Sequence, residues 1–362
     1  MANRSTERSW LEQLTMTPTA PGREDRVMAW VEGWVERRSD LILRRDKAGN
    51  TLIRIRGRRR GDPVIAVAHT DHPGFVVTGA EGRQLKVEFR GGVRPEYFPD
   101  ARLEFFDGDD ERYKATLVSY DPDEKKGEAQ LDRMSQLEPG DIGRWMLRTR
   151  KGGDGLYHLG HACDDLAGAT ASLAALDRAR SDPARSNFGV LLTRAEEVGM
   201  IGAIAACELG TIPAGARILS IECSRSFPDS PLGAGPIVRV GDAISVFDNE
   251  LTNKLASAVA ADGLDHQRKL MTGGGCEATA FTAYGHRATG LCLALGNYHN
   301  MGHLTEVEAG KGVAAPMPET ISLDDFHGLV RLLGLSVAAF NHDWDVSESL
   351  AALYEREKGI LA

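Results

Sequence analysis

A chain of 362 residues, 42% hydrophobic and 26% charged, is too apolar for intrinsic disorder and longer than one core commonly organises, so two domains are expected. No run of 18 uncharged apolar residues occurs, which excludes a membrane-spanning helix, and no apolar segment follows a basic start in the first thirty residues. A net charge of −9 argues against a nucleic-acid partner, and five scattered cysteines without a CxxC pair argue against disulfides and for the cytoplasm.

Two amphipathic helices are expected at the start, Thr6–Leu14 and Arg23–Arg38, separated by Pro21-Gly22. Leu41–Arg45 and Thr51–Arg56 read as strands around the Asp46–Asn50 turn, and Val64–Ala68 as a buried central strand. The basic cluster Arg54–Arg60 alternates like a strand entering a turn and reads as a solvated edge or subunit contact. Between about Phe75 and Tyr157 the texture changes to short alternating runs, including Gln84–Phe89, Arg102–Phe106, Tyr113–Tyr120 and Arg144–Arg148, with no helix among them. Alternation of helix and strand then resumes. Helices are expected over Asp165–Arg180, Val198–Leu209, Asn249–Ala261, Glu277–Tyr284 and Ser322–Phe340, and strands over Phe188–Thr193, Arg217–Ile221 and Ala288–Leu295. A small all-β domain, residues 75–157, is thus inserted into an α/β domain built from residues 1–74 and 158–362.

The chemistry-bearing residues stand where the predicted strands end. Val64–Ala68 runs into His69-Thr70-Asp71, and the insertion returns into Asp164-Asp165 just before a helix. Phe188–Thr193 leads to Glu196-Glu197, Arg217–Ile221 ends in Glu222, and Ala288–Leu295 leads to Tyr298-His299. Sites of open α/β sheets lie outside such strand ends, so five peptides are expected to converge. Each piece alone has a plain structural role, such as a packed histidine or a helix cap. Together the imidazoles and carboxylates form a donor set suited to two divalent ions, zinc first, with cobalt or manganese as alternatives. Asp71, two residues past His69, is placed to accept the second ring N–H of that histidine.

In order and content these motifs resemble the glutamyl and tetrahedral aminopeptidases, a family of cytoplasmic two-metal peptidases. The resemblance rests on Thr19–Glu24, Asp46–Asn50, Ala68–Phe75, Cys163–Gly168, Glu196–Gly199, Leu232–Pro236, Gly274–Ala278 and Tyr298-His299. It implies a three-layer αβα catalytic domain carrying an inserted barrel-like domain. It assigns His69, Asp164 and Glu222 to one metal and Asp164, Glu197 and His299 to the other, with Asp164 shared. Glu196 becomes the general base, with Asp71 beside it in the catalytic set. The implied reaction removes N-terminal residues from peptides by attack of a metal-bridging hydroxide, in a homo-oligomer. An alternative substrate class is a small amide such as an N-acyl amino acid. It is motivated by departures from the family pattern: Glu222 and Glu277 each replace Asp, His72 replaces Glu, and Leu166 replaces Arg. A non-catalytic metal-binding homologue has no need of the free carboxylate at Glu196. His72, His161 and His303 are further candidate substrate contacts, while Cys163, Cys223 and Cys276 read as small packing residues.

Overall fold

The computed structural model describes residues 2–57, 61–147, 157–342 and 347–361. Helices α1 (Arg4–Leu14) and α2 (Asp25–Glu36) open it. The Asn3 side chain caps α1 by accepting the Thr6 N–H, and both helices bury one apolar stripe, including Leu11, Leu14, Val31 and Trp34. Strands β1 (Leu41–Arg45) and β2 (Thr51–Ile55) pair antiparallel, and β3 (Val64–His69) follows with all its residues buried.

The chain then forms β4 (Gly74–Glu81), β5 (Gln84–Arg90), β6 (Arg102–Phe106), β7 (Arg112–Asp121), β8 (Lys126–Leu131) and β9 (Ile142–Trp145). They close into an antiparallel barrel in the order β4-β5-β8-β7-β6-β9. The barrel is filled by Phe75, Phe89, Phe98, Phe105 and Trp145, with Phe89 and Phe98 edge to face at 4.9 Å between centroids. Gly143 must be glycine, because a Cβ there would lie 2.4 Å from the Phe105 ring. The helical content of the described part of this block is one turn, Pro95–Tyr97. Arg148, the expected end of one strand, and the adjoining end of the insertion up to residue 156 lie outside the described residues.

Next come β10 (Tyr157–Gly160), α3 (Cys163–Ala179), β11 (Phe188–Thr193), α4 (Ile201–Glu208), β12 (Arg217–Arg225) and β13 (Ile237–Gly241). They are followed by α5 (Asn249–Ala261), β14 (Gln267–Leu270), α6 (Glu277–Ala283) and β15 (Arg287–Leu295). The chain ends in β16 (Met301–Gly302), α7 (Leu304–Glu308), β17 (Ala315–Pro316), β18 (Glu319–Ser322), α8 (Leu323–Asn341) and α9 (Ser347–Glu357).

The main sheet has eight strands in the order β1-β2-β11-β3-β12-β15-β13-β14, with β11, β3, β12 and β15 parallel. Helices α1, α2, α3, α5 and α8 cover one face, around Leu166, Leu173 and Leu329, while α4 and α6 cover the other, around Ile65, Val67 and Ile218. This is the expected three-layer αβα arrangement, and the barrel leaves it after β3.

Local departures have local causes. The helix expected from Val198 starts at Ile201, because Gly199 (φ 113°) and Met200 (φ 60°) are left-handed and break it. Strand β12 runs four residues past Ile221, so Glu222 projects from inside a strand. Strands β13 and β14 escape the sequence reading because Arg239 interrupts one and the other, Gln-Arg-Lys-Leu, is a polar edge. Arg54 lies on β2, one strand in from the edge, with its stem over Gly189, and Arg56 just past that strand donates to the Leu41 carbonyl at 2.7 Å; Arg58–Arg60 of that basic cluster lie outside the described residues.

Candidate metal centre

Strands β3 and β12 run parallel with Ser220 opposite Val67, so two residues on, His69 and Glu222 emerge side by side on one face. The His69 Nε2 lies 3.7 Å from Glu222 Oε2 and 3.3 Å from Asp164 Oδ1. Asp164 comes from the opposite side, at the start of α3, where it and Asp165 are not helical (Asp164 φ −84°, ψ 109°) and the regular helix follows them. Its second oxygen, Oδ2, lies 3.5 Å from His299 Nε2, which is 3.2 Å from Glu197 Oε2. Two groups result, His69–Asp164–Glu222 and Asp164–Glu197–His299, each with its ligand atoms within 4.8 Å of one another and with Asp164 common to both.

The backbone is bent to achieve this. Ala195 (φ 52°), Asn297 (φ 55°), His299 (φ 52°) and Asn300 (φ 61°) all occupy the left-handed region, which non-glycine residues adopt at a cost of about 1–3 kcal/mol each and which clusters at functional sites. Buried carboxylates hold these bends. Glu24 accepts the Ala195 N–H at 3.1 Å and the Arg194 Nε–H at 2.6 Å. Asp71 accepts the Glu196 and Glu197 N–H groups, both at 3.0 Å, one on each oxygen. The ring Nδ1–H of His69 faces the Asp71 carbonyl at 3.2 Å and its carboxylate at 3.5 Å. Asp71 therefore does more than orient one imidazole: it ties the β3 end to the β11 end.

Two supports escape sequence reasoning. Glu319, fully buried on β18, accepts the Asp164 N–H at 3.0 Å on one oxygen and the His299 N–H at 2.9 Å on the other. One carboxylate thus positions residues from both groups. It reaches them because β18 pairs with β10, the strand leading into Asp164, and nothing in Pro-Met-Pro-Glu announces that pairing. The second support is Gly92, between β5 and the rest of the barrel, whose carbonyl accepts the His299 Nδ1–H at 2.6 Å. That bond leaves the lone pair on Nε2, the nitrogen facing Glu197 and Asp164.

The electrostatics are those of a cation cradle. Burial alone would lower both imidazoles, but Asp164, Asp71 and Glu222 hold His69 well above its ordinary pKa, and Glu197 and Asp164 do the same for His299. A field that favours a proton on each ring also favours a dication in its place. Burial and the charges of Glu222, Glu197 and Glu277 push Glu196 well above the carboxylate range, and burial pushes Glu277 up to about 8. Glu197 Oε1 and Glu222 Oε1 are buried without a hydrogen-bond partner, a costly state that cation ligation would relieve. Imidazole nitrogens with carboxylate oxygens fit zinc, cobalt or manganese. The centre opens onto a cavity of about 290 Å³ lined by Asp164, Glu196, Glu197, Glu222, Tyr298 and His299 among others.

A family model of the M42 glutamyl aminopeptidases matches residues 123–311, from the barrel through the late glycine motif to the His299 loop and beyond. The chain belongs to the M42 glutamyl aminopeptidase family. With membership comes the activity class, that of a metal-dependent aminopeptidase. No curated protein is similar enough to the chain to match it. Among solved structures, it resembles the TET aminopeptidase of the marine sediment archaeon Thaumarchaeota archaeon SCGC AB-539-E09, at 18% identity and a TM-score of 0.76, over 94% of this chain and 100% of that one. It is likewise similar to the Pyrococcus horikoshii TET1 peptidase, which can assemble into a tetrahedron or a large octahedral shell (19% identity, TM-score 0.74, 93% and 100% covered). Yeast aminopeptidase 1 is more distant, at 12% identity and a TM-score of 0.68 over 93% and 98%. At such identities the likeness is one of fold.

The remaining candidate residues of this M42 chain fall outside the ligand groups. His72 is buried, with its ring 2.8 Å from the Asp164 carbonyl and 3.1 Å from Asn300 Oδ1, and burial lowers it to about 4. His161 is buried and lowered to about 2, chiefly by burial, and His303 is exposed ahead of α7. None of the three lines the cavity. Cys163, Cys223 and Cys276 are buried thiols whose burial pushes them up, and Cys223 Sγ donates toward Asp165 Oδ1 at 3.4 Å.

Proposed function

We propose that this aminopeptidase holds two divalent ions, one on His69, Asp164 and Glu222 and the other on Asp164, Glu197 and His299, and that Glu196 handles the protons of hydrolysis. The observation that carries this reading is the sharing of Asp164 between the two groups. Bound there, a pair of dications would supply a Lewis acid for the scissile carbonyl and acidify a water. The chain's own residues do the rest. Glu196 lines the cavity with its carboxylate outside both ligand groups, while its N–H is fixed on Asp71. A carboxylate not committed to a cation can take a proton from the nucleophilic water and return it to the departing amine. Asp71, Glu319 and the Gly92 carbonyl act as positioning groups: they fix the ring tautomers and the backbone from which the ligands project.

Zinc is the proposed metal, the donor set being imidazole and carboxylate without thiolate. Peptides with a free amino terminus are the proposed substrates; nothing in the comparisons favours N-acyl amino acids. No helix among the described residues is long and apolar enough to cross a membrane, and we place the enzyme in the cytoplasm. The self-assembly of the Pyrococcus horikoshii TET1 peptidase supports a homo-oligomer here too, which light scattering would test. The division into residues 1–74 and 158–362 as catalytic domain, with 75–157 inserted, belongs to the same reading. The deciding experiment offers free-amine peptides and their N-acylated counterparts, with zinc, cobalt and manganese supplied separately. Release of the N-terminal residue from the free-amine peptides alone is expected. Hydrolysis confined to the acylated series would contradict the reading.

A further inference from the structure

Tyr298 directly precedes His299 and lines the same cavity as Asp164, Glu196, Glu197 and Glu222. It opens a short turn in which the residues on either side of it, Asn297 (φ 55°) and His299 (φ 52°), are left-handed. Both of those neighbours are tied down: Asn297 Nδ2 donates to the Pro318 carbonyl at 2.8 Å, and the His299 N–H donates to Glu319 at 2.9 Å. The tyrosine ring is held as well. It stacks on the His299 imidazole, with 3.7 Å between centroids and 23° between planes, and it packs against the cluster formed by Tyr97, Met301 and Leu304.

In this fixed frame one group is left idle. Tyr298 is half-buried, and among the described residues its hydroxyl makes no hydrogen bond, despite the carboxylates that share its cavity. Other buried tyrosines of the chain use theirs: Tyr97 donates to the Gly302 carbonyl at 2.7 Å and Tyr113 to Asp107 Oδ2 at 3.0 Å. A placed ring with an unused O–H in the wall of a cavity is a donor available to whatever enters it.

We propose that the Tyr298 hydroxyl is a catalytic group, donating a hydrogen bond to the scissile carbonyl oxygen as that oxygen turns anionic. This rests on the reading that Glu196 handles the protons of hydrolysis. When the water oxygen bonds to the carbonyl carbon, the C=O π pair moves onto the carbonyl oxygen and Glu196 takes the water proton. The oxygen then carries negative charge among carboxylates, which accept hydrogen bonds and cannot donate them. Tyr298 supplies a donor there and keeps its own proton. The pair returns to form C=O as the C–N bond breaks, and Glu196 passes its proton to the departing amine. A hydrogen bond that strengthens as the charge develops lowers the barrier without tightening substrate binding.

Tyr298→Phe tests this, because it deletes the hydroxyl and keeps the ring on His299. On the metal-loaded enzyme kcat should fall about 10²–10³-fold, with KM and metal content unchanged. A second readout needs no turnover: calorimetric binding to the metal-loaded Glu196→Gln protein, with and without Tyr298→Phe. The probes are the amide and the aminophosphonic acid of the N-terminal residue that the enzyme releases fastest. The tetrahedral, anionic phosphonic acid should bind at least about tenfold more weakly without the hydroxyl, and the planar amide equally well. An unchanged kcat, an equal loss for both probes, or a loss of metal from Tyr298→Phe would overturn the assignment and leave Tyr298 as a support for His299. If Tyr298→Phe does not fold, Tyr298→Gln and Tyr298→Leu repeat the comparison: the amide donor should restore part of the turnover that the leucine lacks, and equal turnover would overturn the proposal. Failure of the aminopeptidase reading looks different, since wild type itself would then release no N-terminal residue from any free-amine peptide.

Discussion

In the barrel, Phe75, Phe89, Phe98, Phe105 and Trp145 meet edge to face or tilted, and the acids beside them have cationic neighbours: Glu104 is held by Arg144 at 2.9 Å and Arg112 at 3.1 Å, Asp132 by Arg102 at 2.6 Å. At the ends of β3, β11 and β12, by contrast, Glu196, Glu197 and Glu222 crowd around Asp164 and two histidines with no lysine or arginine hydrogen-bonded to any of them among the described residues. The first region is locally self-consistent; the second gathers buried carboxylates, two of them with an unpartnered oxygen, whose charge divalent cations would neutralise. On the proposed reading, that contrast separates the part of the molecule that stabilises from the part that reacts. The insertion meets the centre through the Gly92 carbonyl on His299 and also contributes Arg94 to the cavity wall.

Substitutions should divide along the same line. Asp164→Asn removes the charge that both groups share, and turnover should fall below detection in a folded protein; near-normal turnover would merge the two regions into one. Glu196→Gln should keep its metal and lose about 2–5 kcal/mol of transition-state stabilisation, read as a kcat lower by about 30- to 5,000-fold. A variant that lost metal instead would make Glu196 a ligand. Glu319→Gln puts an amide NH2 where one of the two N–H groups needs an acceptor, so metal affinity should fall about 10–100-fold by titration of the metal-free protein. An unchanged affinity would reduce Glu319 to packing. Phe105→Ala in the barrel should cost about 3–5 kcal/mol in unfolding free energy, with turnover per folded molecule close to wild type. A collapse of turnover there would show that the barrel does more than support His299.

The same contrast explains what was legible in the sequence. The buried run before His69, the doubled acids at Asp164 and Glu196, and the texture change near Phe75 are local patterns, and local patterns imply the α/β frame and the inserted barrel. His69, Asp71, Asp164, Glu196, Glu197, Glu222 and His299 were all legible as strand-end residues, and the fold brings them together. Glu319 and Gly92 were not, because their significance comes from pairings across the chain: β18 on β10, and a barrel loop on the His299 turn. Nor could the strand reading show that Asp71 clamps two backbone N–H groups besides facing His69.

The central claim, two cation sites joined through one carboxylate, is tested most directly by counting divalent metal per chain in zinc-replete protein. Wild type should hold two ions, His299→Ala should retain one, and Asp164→Asn should lose the pair. Two ions retained in Asp164→Asn, or none in the wild type, would contradict the account.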